Sequence, residues 1–176
     1  IFLGLPSATA NGTNRVAILV ATSSATLGFR SKKINSFPFS LYLGSVALLG
    51  ALIGARIAID IDGNVFNRIL AIIMLVVVVL MVFKPKYNTL SVSPRTTGKT
   101  LVWSMVAFFF IGIYGGFINA GIGFIMMLFM NYVNRMDLIR VNATKVAVAF
   151  IYTTGALATF ALSGHIEWKY GVTLAV

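Results

Sequence analysis

Two short stretches set a cation among small polar residues where an apolar helix reads as beginning: Asn11-Gly12-Thr13-Asn14-Arg15 and Asn142-Ala143-Thr144-Lys145. Thr13, Asn14, Asn142 and Thr144 are of the types that cap a helix start, where several backbone N–H groups have no internal partner. That end of a helix attracts anions and disfavours a cation on the helix itself. Arg15 and Lys145 make sense there if a negatively charged solute is shared between each side chain and the free N–H groups. The chemistry implied is binding of a small anion.

The residues that follow extend the pattern. Thr22 and Thr26 lie seven and eleven positions after Arg15, and Tyr152 seven after Lys145 with Thr159 one cycle on, which is one helix face in each case. A polar stripe on an apolar helix points to a wet cavity. The simpler alternative is that Arg15 and Lys145 reach to lipid headgroups while the hydroxyls bond back to their own helices. A third feature is the run from Gly112 to Gly123, twelve residues with five glycines and Asn119. It predicts a helix break between Gly115 and Gly123, and irregular backbone at membrane depth is tolerated only against protein or around a cavity. Gly116, Asn119 and Gly121 therefore join Thr13, Asn14, Arg15, Asn142, Thr144 and Lys145 as candidate substrate-binding residues. The competing reading of the glycines is close helix packing.

Other chemistries find little support. No acid falls inside an apolar window, so a cation pump with an intramembrane carboxylate is disfavoured. His165 stands alone in the turn Ser163-Gly164-His165-Ile166-Glu167-Trp168, without a zinc-ligand motif, nucleophile elbow or nucleotide loop, and reads as a packing or surface residue. No catalytic residue, metal or cofactor is expected. Trp103 and Trp168 read as interfacial anchors.

The elements that must hold these residues are membrane helices. Of 176 residues, 59% are hydrophobic and 10% charged, with 14 basic residues, 4 acidic ones and no cysteine. A soluble domain carries about 25% charge, so this composition cannot build a water-facing surface. The basic excess lacks the interleaved exposed aromatics of a nucleic-acid interface, and no nucleic-acid partner is expected. Phe37 to Ala55 and Ile69 to Phe83 carry no charge, approaching the roughly 20 residues of a membrane crossing. Helices are predicted over Asn14–Phe29, Phe37–Ile57, Val65–Phe83, Leu101–Val133 in two pieces, and Asn142–Ser163, with another starting near Trp168. Val76 to Val79 alone would suggest a strand, but an open sheet cannot satisfy its backbone in hydrocarbon. The fold class is all-α, a polytopic bundle.

A shift of 130 positions lays Arg15-Val16-Ala17 over Lys145-Val146-Ala147, Ser23 and Ser24 over Thr153 and Thr154, and Leu27 over Leu157. This suggests an internal repeat, with a first lobe at 1–86, a basic polar cytoplasmic linker at 87–99 and a second lobe at 100–176. The partner of the Gly-rich break would lie about 15 positions before Ile1, and the natural protein would be longer at both ends, roughly 240 to 260 residues. If Leu101–Val133 is two crossings or a hairpin, Arg30, Lys32, Lys33, Lys84, Lys86, Arg95, Lys99, Arg135, Arg140 and Lys145 share one side. Arg15, Arg56, Arg68 and Lys169 take the other. That asymmetry makes the first side cytoplasmic and the repeats inverted.

At Gly115-Gly116-Phe117 through Gly121-Ile122-Gly123, Asn142-Ala143-Thr144-Lys145 and Gly164-His165-Ile166-Glu167-Trp168 the chain resembles the TauE/SafE family of sulfite exporters and anion permeases, with Ala10-Asn11-Gly12-Thr13-Asn14 as a weaker counterpart. The resemblance implies a multi-pass protein of the plasma membrane. It would move a small anion such as sulfite, an organosulfur acid or a related carboxylate by alternating access. Its partners would be that solute and the lipid bilayer. A passive anion channel and a non-transporting scaffold or accessory subunit are the alternatives.

Overall fold

The computed structural model describes residues 4–34, 37–82 and 94–175, without the side chains of 80–82. Among these residues the elements are α1 (Ser7–Ser31), α2 (Phe37–Asp60), α3 (Gly63–Val82), α4 (Gly98–Phe117), α5 (Ile122–Tyr132), α6 (Leu138–Leu162) and α7 (Trp168–Ala175). The all-α expectation holds, and Val76 to Val79 are helical. α2, α4 and α6 are each long and apolar enough to cross a bilayer. Large apolar side chains such as Leu27, Leu75, Val102, Phe110 and Leu162 point outward, as lipid-facing surfaces require.

Two helix starts differ from expectation. α1 begins at Ser7 behind Pro6, not near Asn14, and α6 at Leu138 behind Asp137, not at Asn142. Asp137 is a true cap, its carboxylate accepting from the N–H groups of Ile139 at 3.0 Å and Arg140 at 2.9 Å. Thr13, Asn14, Asn142 and Thr144 are therefore helix-interior residues, and Arg15 and Lys145 stand about two turns inside their helices. The reason is that their polar side chains find partners elsewhere. Asn11 and Thr13 bond to other segments, and Asn142 bonds back to the Leu138 carbonyl. α4 begins at Gly98, so the last two residues of the expected linker are helical. The rest of that linker, up to residue 93, and the expected helix end at Phe83, Lys84, Pro85 and Lys86 lie outside the described residues.

The core pairing is α2 with α4, which run parallel. Small residues spaced by four line both faces: Ala47, Ala51, Gly50 and Gly54 on α2, Gly112 and Gly116 on α4. A Cβ at Gly112 would fall on the Ala47 backbone, one at Gly116 on Ala51, and one at Gly54 on Ile113. Such contact lets dispersion hold helices together where burial of apolar surface offers no gain over lipid. α6 packs on the other side of α2, where Gly44 meets Ile151 and Gly155 meets Leu48. α1 crosses α6 antiparallel: Gly12 lies against Phe160 and the His165 carbonyl. α7 closes on α1 through Gly171 and Val16.

α5 folds back along α4, so the chain before α4 meets the chain after α5. The Arg95 N–H donates to the Asn134 carbonyl at 2.8 Å. The Asn134 amide donates to the Arg95 carbonyl at 3.0 Å and to the Ser104 hydroxyl at 2.8 Å. Phe108 and Phe129 meet edge to face with centroids 5.8 Å apart. Of the forms open to this region, the hairpin is the one adopted, with the break at its tip.

Gly112→Leu should drive α4 off α2, costing at least the ~1–3 kcal/mol of ordinary overpacking, since the obstacle is backbone. Gly28, where an added Cβ would meet nothing within 4 Å, should accept Ala without loss. Thermal unfolding of the two variants in detergent checks the difference; equal melting would refute the packing.

Candidate functional site at the broken helix

α4 stops at Phe117 because two following residues take left-handed backbone: Asn119 with φ 66° and Gly121 with φ 69°. Asn is among the few side-chain-bearing residues that tolerate this region, and Gly121 has no Cβ to strain. Gly121 also lies against Val77 of α3, leaving no space for a larger residue. The reversal frees the carbonyls of the last turn of α4, which need partners from elsewhere in the protein where they are buried.

Side chains from three helices take those carbonyls and brace the turn. Arg15 Nη2 donates to the Gly116 carbonyl at 2.5 Å, and Asn11 Nδ2 to that of Phe117 at 2.7 Å. Tyr114 Oη donates to the Ala120 carbonyl, and Tyr152 Oη to the Asn119 side-chain oxygen at 2.6 Å. Asn11 and Arg15 are four residues apart, hence on one face of α1. This also explains why α1 must be helical well before Asn14.

Arg15 is the key group. Its side chain has 0% exposure, and its guanidinium carbon lies 5.0 Å from the centroid of the Phe160 ring. It sits at the C-terminal pole of α4, where the helix dipole favours a cation. Among the described residues Nε and Nη1 have no hydrogen-bond partner, and the one ion pair is Arg140 with Asp137 at 3.4 Å. Arg15 thus keeps an unneutralised charge and spare donors in the interior.

Beside the break is a cavity of about 260 Å³, lined by Ser7, Asn11, Asn14, Asn119 and Ala120 with an apolar wall from α3. At ~30 Å³ per water it has room for a small oxyanion and a few waters. Ser7 donates to Asn67 across its rim at 3.0 Å. A larger apolar groove lies at the far end of α1, away from the break.

The expected site residues divide into two groups. Asn14 and Asn119 line the cavity, Arg15 and Gly116 form the clamp behind it, and Gly121 makes the turn. Thr13 is 2% exposed and accepts from the Glu167 N–H at 3.0 Å, so it ties α1 to the turn before α7. Lys145 is elsewhere, its Nζ donating to the Asn142 side chain at 2.8 Å and lying 3.6 Å from Met127 Sδ. Its aliphatic stem runs past Gly123 on α5, and Thr144 is buried next to it. Arg15 lies against Phe160, fifteen positions along α6 from Lys145, or ~22 Å of helix. The expectation that each cation stands at a helix start is therefore corrected: both are helix-interior residues, and they lie apart.

The stripe behind Arg15 is self-satisfied: Thr22 donates to the Ile18 carbonyl at 2.7 Å and Thr26 to that of Thr22 at 2.7 Å. On α6, Thr159 bonds back to Gly155, while Tyr152 does reach the break. Sequence pattern does not single out Tyr114, Asn11 or Phe160 as site residues. Asn11 is legible in principle, one turn before Arg15 on the same face.

The whole chain, residues 1–176, matches the family described as sulfite exporter TauE/SafE. It is similar to a "Probable membrane transporter protein" of Haemophilus influenzae, 26% identical over 174 residues, covering 99% of this chain and 68% of that one. A "Probable membrane transporter protein ORF9" of Sinorhizobium sp is 24% identical, covering 100% and 67%. "Probable membrane transporter protein YfcA" of Escherichia coli K12 is 23% identical, covering 98% and 64%. The chain thus spans about two thirds of the length of these relatives. No solved structure matches it. A family match over every residue, joined to helices built to cross a bilayer, makes this chain a multi-pass membrane protein belonging to the sulfite exporter TauE/SafE family of transporters.

Proposed function

We propose that this protein is a secondary transporter for a small anion, with sulfite, a sulfonate or a related small carboxylate as the substrate class, and that the anion is held at the helix break. The observation that carries this reading is Arg15, fully buried and, among the described residues, without a carboxylate partner and with Nε and Nη1 unused. A buried cation is costly unless a negative charge compensates it, and here the compensating charge is the cargo. The family description and the relatives' names support transport in general; the substrate class rests on this charge and on the sulfite exporter name.

The substrate enters the cavity of Asn11, Asn14 and Asn119, whose amide groups can donate to oxyanion oxygens. Arg15 acts on it from behind, through an interior that screens charge less than water does. Direct contact with Nε and Nη1 requires the hairpin tip to move relative to α1, and that displacement is the alternating-access step. Lys145, on the far third of α6, is a second cationic station on the path. The antiparallel crossing of α1 and α6 supports two lobes of opposite orientation, which is the plan such a rocking motion needs.

Radiolabelled anion uptake into vesicles containing the full-length protein, screened over sulfite, sulfonates, sulfate and small carboxylates, tests this. Arg15→Gln removes the charge but keeps a donor for the Gly116 carbonyl; it should lower uptake at least about ten-fold with membrane insertion unchanged. Lys145→Ala should lower it as well. Unchanged saturable uptake in both variants would sink the assignment.

The same vesicles separate a carrier from a channel. Preloading with unlabelled anion should accelerate entry of labelled anion, and the initial rate should saturate. A flux that rises linearly with concentration and ignores the internal anion would mean a continuous pore.

A further inference from the structure

We propose that the groove between the second half of α1, the start of α2 and α6 holds an acyl chain of an anionic phospholipid, and that Arg30, Lys32 and Lys33 bind its phosphate. The groove has a volume of about 330 Å³ and includes Leu27, Phe29, Ile34, Phe37, Ala147 and Phe150 in its walls. Its hydroxyls are spent: Ser23 donates to the Val20 carbonyl at 2.8 Å and Thr26 to that of Thr22 at 2.7 Å. Water or a small oxyanion would find few polar partners there, so the groove suits hydrocarbon and differs in kind from the amide-lined cavity at the break.

The mouth has the opposite character. α1 ends with the N–H of Lys33 on the Arg30 carbonyl at 3.0 Å and that of Ile34 on the Phe29 carbonyl at 3.1 Å, with Lys33 left-handed at φ 57°. These are the paired bonds of a Schellman motif. The motif folds Ile34 back into the groove while Lys32 and Lys33 stand exposed beyond the helix end. Arg30 is exposed on the groove's own lining. No Asp or Glu occurs between Ile1 and Ile59, so neither α1 nor the start of α2 supplies a neutralising carboxylate. At the start of α6, Asp137 is paired with Arg140, and the other charged residue of that helix is the cation Lys145.

Three exposed cations at the mouth of an apolar slot match one ligand chemistry, a phosphate joined to a hydrocarbon chain. From Arg30 to Ser23 is seven residues of helix, ~10 Å, a depth that accepts the headgroup-proximal part of a chain. Each basic residue near an anionic surface is worth about a five-fold preference. Three of them, exposed and partly screened, should favour an anionic over a zwitterionic lipid at least about ten-fold.

Full-length protein purified in neutral detergent is mixed with equimolar phosphatidylglycerol and phosphatidylcholine of matched chains, and retained lipid is counted by native mass spectrometry. Wild type should keep phosphatidylglycerol at least about ten-fold over phosphatidylcholine. The combined change Arg30→Gln, Lys32→Gln, Lys33→Gln should bring the two lipids level. Ala147→Leu, which fills the groove, should lower retention of both; Ser23→Leu, from the opposite wall, stands in if that protein does not fold. Soluble glycerol phosphate should not displace the lipid, whereas displacement would mean a headgroup site without an acyl slot and overturn the proposal. Wild type retaining neither lipid or showing no preference, or variants that keep the preference or the lipid, would also overturn it. None of these outcomes depends on whether the break carries anions.

Discussion

The contact on which the molecule depends is that of the Arg15 guanidinium with the Gly116 carbonyl at the end of α4. A helix that stops in the packed interior of a protein leaves carbonyls that must find partners there, and one left buried without a partner costs ~1–3 kcal/mol. Arg15 and Asn11 take two successive ones, and Tyr114 takes a third from within the hairpin. α1 must be straight enough from Ser7 onward to present both side chains on one face. α4 must come close enough to α2 to hold its tip in register, and the glycines and alanines of that interface provide this. Phe160 must lie flat beneath the cation. Alter any of these and the break loses its partners.

The sign of the helix end matters to what the site can do. The sequence places Arg15 after residues that look like an N-terminal cap, which would set the cation against a positive pole and leave an anion to reconcile them. In the fold the cation belongs to the interior of one helix and faces the negative pole of another. The dipole and the carbonyl offset part of its desolvation cost and the aromatic ring some more. They do not use up the guanidinium, which has five N–H donors in a fixed fork. An arginine that was purely structural would be expected to spend its donors on protein. This one keeps Nε and Nη1 without partners, in a place where unused donors are expensive.

The apolar helices are legible in the sequence because hydrophobic length is set by the bilayer. Phe37 bounds α2 in the sequence as it does in the fold, while the helix runs three residues past the expected end at Ile57 to Asp60. Gly112 to Gly123 announces a break, since a left-handed residue is needed to reverse the chain and Asn119 and Gly121 supply two. The starts of α1 and α6 are misleading because Thr and Asn have two uses. At a surface they cap their own helix; in a packed membrane bundle they bond to a neighbour, as Asn11 and Thr13 do, and type alone cannot tell these apart. The hydroxyl stripe of Thr22 and Thr26 misleads in the opposite direction, because back-bonding leaves no pattern in the sequence. What places Arg15 beside Gly116, a hundred residues away in the chain, is tertiary packing that local spacing does not encode.

The two cations, although apart, are placed in a related way. α1 and α6 cross antiparallel, with Arg15 against Phe160 toward the end of α6 and Lys145 near its beginning. α2 packs on α6 much as α7 packs on α1, each through a glycine: Gly44 on Ile151 and Gly171 on Val16. An inverted duplication would produce such an arrangement. It sets the two cations apart along α6, on either side of Tyr152. A solute drawn to either cation alone would be held at one side. The break lies between them in the fold: Asn119 meets Tyr152, and Gly123, four residues on at the start of α5, lies beside Lys145. Short helix α5, whose start no side chain caps, buries Ile122, Met126 and Met130 in the core, so the break is held by packing on one flank and by the bonds of Arg15, Asn11 and Tyr152 on the other.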